Sequence, residues 1–542
     1  MALKIKLTKG RLTAALFKSF EDYYQRIGID RGFTTRKWEH WKNSPHITVY
    51  KASKGNELLG WIIYDPDRST IEEVLTPSGR KKTTPAIQMI DALIAKENLL
   101  AAEILEEDKE KYKWMVEYGF RPTRSFSSNG LPTLKMDLST SVLFQRLKAF
   151  KPTRPYWKKE KVAIERVPST QTDGEIRKGL EELIKKLGGL ERFVKPGDAV
   201  VIKPNIVADH GLKDGVYIGG IVTDIRITKA LIEILLPVAG KVVVAEGSSI
   251  NRSATNKLFV HYGFDTLINL NPRKVSLVDL NTDEVVEKKV PRGKRMVARK
   301  IPLTLEKADV IINVPVLKTH FAAIASLAVK SLQGAVPPLE KYMTHFFGLW
   351  QNLVNIHHLV KPKLIIIDGL TGQEDFGPVS GTPKKMDLLI GGTNPVAVDA
   401  VAMRIMGLDP LTSPPVAMAY MQGLGPVEPE NIKVLGPAID ELKNPFRQPV
   451  INISSGTNFT IHNGQACSGC SGYLHFALNK LRRPDPQDNS RLLIDRPFNP
   501  AVNIFLGPTT EAEIDLQETN IFMGMCQQHH ANRGKHLPGC PP

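Results

Sequence analysis

The sequence predicts a multidomain α/β protein: a central, largely parallel sheet covered by helices, a smaller N-terminal α/β domain, and a small C-terminal α/β region. Three observations lead there. Val/Ile-rich runs at 199–202, 241–244 and 363–367 end in polar turns and alternate with helical stretches, and strands apolar on both faces belong to sheets covered on both sides. The chain has 542 residues, more than one hydrophobic core serves, so about three domains are expected. All four cysteines lie in the last quarter, which sets that stretch apart chemically. The expected division is 1–150, a linker at 151–160, a central domain at 161–440 and a cluster-binding region at 441–542.

In the first domain, Leu16, Phe17, Phe20, Tyr23 and Tyr24 recur at helical spacing. Residues 46–51 and 57–65 read as strands paired across a turn at 54–56. A strand at 71–75, a helix at 86–97, a strand at 101–105, a helix at 107–117 and a strand near 134–138 follow. Trp38, Trp41 and Trp61 read as core or interface aromatics. This order, with the Tyr118-Gly119-Phe120 turn after a helix, resembles the Gcn5-related acetyltransferase fold. The resemblance implies an acyl-CoA pyrophosphate loop at 76–85. That loop has a single glycine, Gly79, and Pro85 removes a donor at the helix start. Arg80, Lys81 and Lys82 could still meet phosphates at a helix N-terminus. The expectation is a degenerate acetyltransferase-like domain retooled to bind substrate or dock a partner. A Pro-containing, basic linker without periodicity follows.

In the central domain a strand begins at Val162, and a helix at 173–186 puts Ile176, Leu180, Leu183 and Ile184 on one face. Further strands are expected at 199–205, 241–246, 308–314, 363–368 and 386–391, with helices at 227–235 and 255–262. Polar groups just past the strand C-termini of such a sheet form the default site. They are Lys203, Asn205, Glu246, Ser248, Asn313, Lys318, Thr319, His320, Asp368 and Gly369. Lys203, Lys318 and Lys330 suit an anionic substrate, phosphate or carboxylate, and Asn205 and Asn313 could orient it. His320 titrates near neutrality and is the proton-transfer candidate, with Lys318 and Asp368 as catalytic companions. Asp368 and Asp399 could hold a divalent ion or orient His320, or Asp399 could cap a helix. Residues 335–362, with His345, His357, His358 and several aromatics, read as a packed helix or a lid, with Trp350 over a flat substrate. The Gly423–Pro426 turn lacks dinucleotide spacing, so no NAD or FAD is expected.

The stretches at 202–205, 308–309, 315–320, Lys330 with Gly334, Asp368-Gly369 with Gly377-Pro378, and 394–400 resemble the family of a domain of unknown function, number 362. The resemblance implies iron–sulfur ligands in attached regions and no established reaction.

Cys467 and Cys470 flank a turn that Ser468, Gly469 and Ser471 favour. Cys526 and Cys540 would complete a four-sulfur shell for an iron–sulfur cluster or zinc. Two disulfides are the alternative, with a connectivity no sequence reveals. Zinc sites often draw two close pairs of ligands, and here one pair is close. His529, His530 and His536 could be ligands, hydrogen-bond donors to ligands, or members of a polar loop. The Cys-x-x-Cys pair, Gly524-Met525-Cys526 and Gly539-Cys540-Pro541-Pro542 resemble the proximal-cluster motif of nickel–iron hydrogenase small subunits. They are also similar to the cluster-binding subunit of respiratory NADH dehydrogenase. The resemblance implies one 4Fe–4S cluster, without hydrogenase activity.

Lys plus Arg number 72 against 56 Asp plus Glu, a formal charge of +16. That excess suits a small polyanion, an acidic electron carrier such as ferredoxin, or nucleic acid. No nucleic-acid-binding motif stands out, which disfavours the last. The start lacks a signal peptide and no apolar run reaches membrane-spanning length, so a cytoplasmic protein without a membrane partner is expected, and a homo-oligomer is compatible. The expected function is an iron–sulfur oxidoreductase passing electrons through one 4Fe–4S cluster to a small anionic substrate. The alternatives are a non-redox ligase or transferase with a structural cluster or zinc, and a binding or assembly protein without catalysis.

Overall fold

The structure is a computed structural model that describes residues 5–77, 83–94, 96–97, 101–139, 142–143, 158–249, 254–291, 295–456, 458–496, 499–508 and 514–540. It divides into two compact units: Met1–Arg154 together with Ile453–Pro542, and Pro155–Asn452.

The first unit holds a seven-stranded sheet in the order Lys6–Gly10, Thr48–Lys54, Glu57–Asp65, Thr70–Leu75, Ala101–Leu105, Leu131–Leu138, Phe120–Ser128. All neighbours are antiparallel except Thr70–Leu75 and Ala101–Leu105, whose parallel pairing involves only Thr70 with Ala101 and Ile71 with Ala102. The helix Ala14–Arg26 begins where Thr13 Oγ1 accepts from the Leu16 amide, and it buries Leu16, Phe20 and Tyr24. A second helix, Arg31–Lys42, starts at an Asp30 cap and places Trp38 against Phe17 and Trp41 against Phe20. Its residues carry no periodic apolar signal, because it buries Thr34 and Lys37 along with its aromatics. Those polar groups have partners. Lys37 donates to the Glu72 carbonyl at 3.0 Å, and buried Glu73 accepts from the Tyr24 hydroxyl at 2.6 Å and from Lys111. Burial opposes the Lys111 charge, yet Glu73 and its neighbours hold the ammonium well above its ordinary range. Arg80, Lys81, Lys82 and Gly79 lie outside the described residues.

The C-terminal part of this unit is a four-stranded, all-parallel sheet: Phe459–Asn463, Val502–Leu506, Thr519–Met523, Lys535–Leu537. Phe505 and Phe522 stack at its centre, 5.0 Å between centroids. The helix Ser468–Leu481 opens at Cys467. The turn Met525–Arg533 fastens to the strand Phe120–Ser128: Arg121 Nε donates to the Cys526 carbonyl at 3.1 Å and Gln528 Nε2 to the Thr123 carbonyl at 3.2 Å.

The second unit is built on a ten-stranded mixed sheet. From one edge it runs Val275–Asp279, Lys241–Glu246, Ala199–Pro204, Val310–Val314, Leu364–Glu374, all parallel. Then Thr382–Gly392 and Glu160–Arg166 pair antiparallel, and Ile432–Leu435 pairs parallel on the outside. The strand around Met386 therefore departs from the expected β–α alternation. The link from Glu374 to Thr382 is too short for a crossover helix, so the chain returns as a hairpin. Among the covering helices, Asp173–Lys186 starts with a reciprocal cap between Thr172 and Glu175 and buries Ile176, Leu180, Leu183 and Ile184. The strand Val316–His320 lies beside Leu364–Glu374 and aligns Val316 with Asp368. Every residue of Val310–Val314 and of Val316–His320 is buried, so the polar members of those strands face protein. No described helix is long and apolar enough to cross a membrane.

Candidate anion-binding site

The carboxyl ends of the parallel strands bring four lysines together with one glutamate. Lys203 and Asn313 are register partners on adjacent strands, and Glu246 ends the next strand over. Lys203 Nζ meets Glu246 Oε2 at 2.8 Å, with both side chains almost fully buried. The other Glu246 oxygen accepts from the Gly247 amide at 2.8 Å. Gly334 lies directly over this pair. A Cβ there would stand 1.9 Å from Glu246 Oε1, so only glycine permits the approach. Lys341, on the helix Pro338–Phe346, donates to the carbonyls of Gly247 at 2.9 Å and Ser248 at 3.0 Å, and to Asn281. Lys318 donates to the Ile221 carbonyl at 2.8 Å, and Asn205 Nδ2 reaches the same oxygen at 2.8 Å. Lys330 differs: its residue is half-buried, and among the described residues its ammonium has no hydrogen-bond or ion-pair partner.

Burying several cations beside one carboxylate carries a cost, and the site meets it by proton loss. Burial pushes Lys318 down to about 7, and the Lys330 and Lys203 charges push the same way while Glu246 opposes them. Burial, with Lys203 adding to it, brings Lys330 to about 8. Lys341 also falls to about 8, again chiefly by burial.

His320 does not titrate near neutrality as the sequence suggested. Burial and the Lys330 and Lys318 charges hold it well below its ordinary value. Its Nδ1 accepts from the amides of Ala322 at 3.0 Å and Ala323 at 3.2 Å, which leaves the proton on Nε2. His345 and His357 are likewise driven by burial to about 4.

The carboxylates expected to hold a divalent ion are used by the backbone. Asp368 accepts from the amides of Asp224 at 2.8 Å and Leu370 at 3.1 Å. Asp399 sits inside the helix Pro395–Ile405, which Asn394 caps. Its two oxygens accept from Ala328 at 2.8 Å and Val329 at 2.9 Å, so it caps the short helix Ala328–Ser331 that carries Lys330. Burial raises both aspartates to about 7. Asn313 is turned toward the same helix, with Nδ2 on the Ala328 carbonyl at 3.3 Å and Oδ1 accepting from Ser331 Oγ at 3.0 Å. Ser248 pairs with Thr255, 3.1 Å between hydroxyls. Thus Lys203, Lys318, Lys330, Lys341 and Glu246 form the cluster, Asn205 joins it through Ile221, Asp399 and Asn313 brace the helix that carries Lys330, Ser248 accepts from Lys341, and Asp368 instead holds the Asp224 and Leu370 amides. Trp350, expected over a flat substrate, is 1% exposed and belongs to the core. Lys341 was missed. It stands four residues before His345 on an amphipathic helix, and that shared face was the available signal.

The cysteines require a correction. The four sulfurs share a neighbourhood: the hydrogen bond to Cys467 and burial raise the Cys470 thiol well above its usual range, with Cys467, Cys526 and Cys540 adding to the effect. Among the described residues, however, no group of three or more His, Cys, Asp or Glu side chains is arranged to hold a metal ion. Cys467 and Cys470 are hydrogen-bonded to each other, which lowers Cys467 to about 7. Cys526 Sγ lies 3.2 Å from Ser139 Oγ, and burial pushes its thiol up to about 12. The cavity lined by Cys526, Cys540, Ser139 and Arg121 has about 10 Å³, room for roughly one water. The hydrogenase-like motif, the 4Fe–4S cluster on Cys467, Cys470, Cys526 and Cys540, the zinc and the divalent ion at Asp368 and Asp399 are therefore withdrawn. The iron–sulfur oxidoreductase goes with them. None of the four cysteines is in a disulfide either.

With this geometry in place, the likeness to known proteins is informative. Residues 200–404 match a family described as "Domain of unknown function (DUF362)", and the lysine cluster falls within that span. A thylakoid-associated protein of Synechocystis sp. is 29% identical over 269 residues, covering 47% of this chain and 78% of its own. Solved acetyltransferases resemble part of the chain weakly. One from Thermus thermophilus is 14% identical, covers 25% of this chain and 98% of its own, and has a TM-score of 0.20. The ribosomal-protein-S18-alanine N-acetyltransferase of Escherichia coli is 11% identical, covers 24% and 93%, and has a TM-score of 0.19.

Proposed function

We propose that the Pro155–Asn452 unit is the substrate-binding domain of a non-redox enzyme, a ligase or transferase. Its substrate would be a small molecule carrying a carboxylate or phosphate. The observation that carries this reading is the Lys330 ammonium, unpartnered among the described residues, beside Lys203 and Lys318, in a cluster whose carboxylate, Glu246, already serves Lys203. A bound anion supplies the missing negative charge and restores protons to lysines that burial has stripped. In this reading residues 161–440 carry the site, and the acetyltransferase-like region at 1–150 holds or screens substrate. The reading needs no metal and no electron carrier.

Calorimetric titration of the full chain with inorganic phosphate, and separately with pyruvate, tests it. Binding at the level of one site per chain, weakened at least tenfold in Lys330→Gln (about 1.4 kcal/mol or more), is expected. No binding of either anion, or equal binding by Lys330→Gln, refutes it.

A further inference from the structure

A cavity of about 420 Å³ opens beside the strands Thr382–Gly392 and Glu160–Arg166. None of its lining residues belongs to the lysine cluster, and the strand Leu364–Glu374 stands between its strands and Val310–Val314. Glu160–Arg166 runs parallel to Leu364–Glu374, since both pair antiparallel with Thr382–Gly392. Arg166 and Val167 therefore lie at the carboxyl end of the sheet, where α/β proteins place ligands. The backbone there is irregular in a specific way. Gly369 aligns with Leu388 and Thr371 with Lys385, so Met386 and Asp387 together oppose Leu370. This is a β-bulge, a device that re-aims side chains beside functional sites. Asp387 takes a left-handed φ of 54° and Gln171 one of 47°. Gln171 Nε2 joins the two, donating to Asp387 Oδ1 at 2.6 Å and to the Leu370 carbonyl at 3.1 Å. Non-glycine residues held in that region cluster at ligand sites.

The lining is mixed. Val167, Leu388 and Leu442 are buried and give the cavity an aliphatic floor. The wall at 441–444 is tied down: the Asn444 amide donates to the Ile405 carbonyl at 2.9 Å, and Arg166 Nη2 to the Glu441 carbonyl at 3.4 Å. Three cations, Arg166, Lys385 and Lys443, line the cavity with two carboxylates, Asp387 and Glu441. Among the described residues the Lys443 ammonium and the Glu441 carboxylate have no hydrogen-bond or ion-pair partner. A bare anion would fill little of this volume and would meet both carboxylates, whereas a cavity of this size suits a larger organic molecule. We propose that it binds a nucleoside phosphate. The phosphates meet Arg166, Lys385 and Lys443, the base lies on the aliphatic floor, and its N–H groups donate to Asp387 or Glu441. This site goes beyond the anion-binding reading above and shares no residue with it. In a ligase or transferase it would hold the second substrate.

The test is photolabelling. The full chain is irradiated with an azido analogue of ATP, and the labelled peptides are identified by mass spectrometry. Label is expected on peptides that contain Arg166, Asp387 or Lys443, with excess ATP protecting them. Arg166→Glu combined with Lys443→Glu should lower labelling roughly tenfold by turning attraction into repulsion. Both side chains are exposed, and circular dichroism checks that the double variant keeps its fold. Tripolyphosphate should protect roughly tenfold less well than ATP, because it has no base to bury. Lys330→Gln should leave labelling unchanged. Label confined to other peptides, or undiminished in the double variant, overturns the site. Equal protection by tripolyphosphate overturns the nucleoside assignment. Loss of label in Lys330→Gln places the nucleotide at the lysine cluster, which overturns this inference and sustains the anion-binding reading.

Discussion

Raising the pH from 8 to 9 should stabilise the Pro155–Asn452 unit, against the usual alkaline trend, because its buried lysines are neutral when folded and charged when unfolded. The sign follows from the shifts. Lys318 has a folded pKa of about 7, and Lys330 and Lys341 of about 8, while unfolded lysine titrates near 10.4. Between those values the unfolded chain binds more protons, so stability climbs with pH. Other groups do not cancel this. The raised aspartates 368 and 399 and the lowered histidines 320, 345 and 357 act below about pH 7 and in opposite directions. Tyr217, raised by burial well above 10, opposes only at higher pH. A lysine that is neutral folded and charged unfolded contributes about 1.4 kcal/mol per pH unit, and less where its folded pKa lies near 8, so Lys318, Lys330 and Lys341 together give roughly 3 kcal/mol from pH 8 to 9. Native-state amide exchange, corrected for intrinsic rate and read on peptides within 199–246 and 310–374, measures this without interference from the other unit. Lys318→Met should remove a little over a third of the slope due to the three lysines, roughly 1.3 kcal/mol. A flat or falling profile in the native chain, or an unchanged slope in Lys318→Met, would refute the assignment of neutral lysines.

Three further outcomes follow from named contacts. Glu246→Gln leaves Lys203 without its counter-charge in a buried setting and should cost about 3–5 kcal/mol in denaturant unfolding of this unit, with phosphate partly restoring stability. Asp399→Asn keeps one acceptor for two amides, Ala328 and Val329, and should cost about 1–2 kcal/mol; calorimetry should then show weaker phosphate binding, because the helix carrying Lys330 has lost a support. Iodoacetamide under limiting conditions at pH 7 should label Cys467, lowered to about 7, well before Cys526, raised to about 12, and equal labelling by mass spectrometry would contradict that ordering.

Strands apolar on both faces announce themselves, and the runs at 199–204, 241–246, 310–314 and 364–367 were legible for that reason. Strand direction is not written in such runs. Thr382–Gly392 pairs antiparallel on both sides, yet its buried half, Leu388-Leu389-Ile390, reads like the parallel strands, and only the short link before it betrays the hairpin. The lysines and Glu246 were legible from their place after the strands, but what each one does depends on tertiary partners no spacing encodes. Asp399 looked like a cap for its own helix and instead caps a helix seventy-one residues earlier in the chain, counting from Ala328. His320 looked titratable, and two backbone amides plus neighbouring ammoniums remove that property. The cysteines show the same limit from the other side. Their spacing matched a ligand pattern, while a thiol–thiol hydrogen bond governs Cys467 and Cys470 and burial governs Cys526, whose sulfur meets Ser139, more than three hundred residues before it. Residue type and position thus indicate where charge gathers, and the partners decide its state. At the lysine cluster that distinction carries the functional argument, because Lys203 with Glu246 is a structural pair, whereas Lys330 has no partner among the described residues.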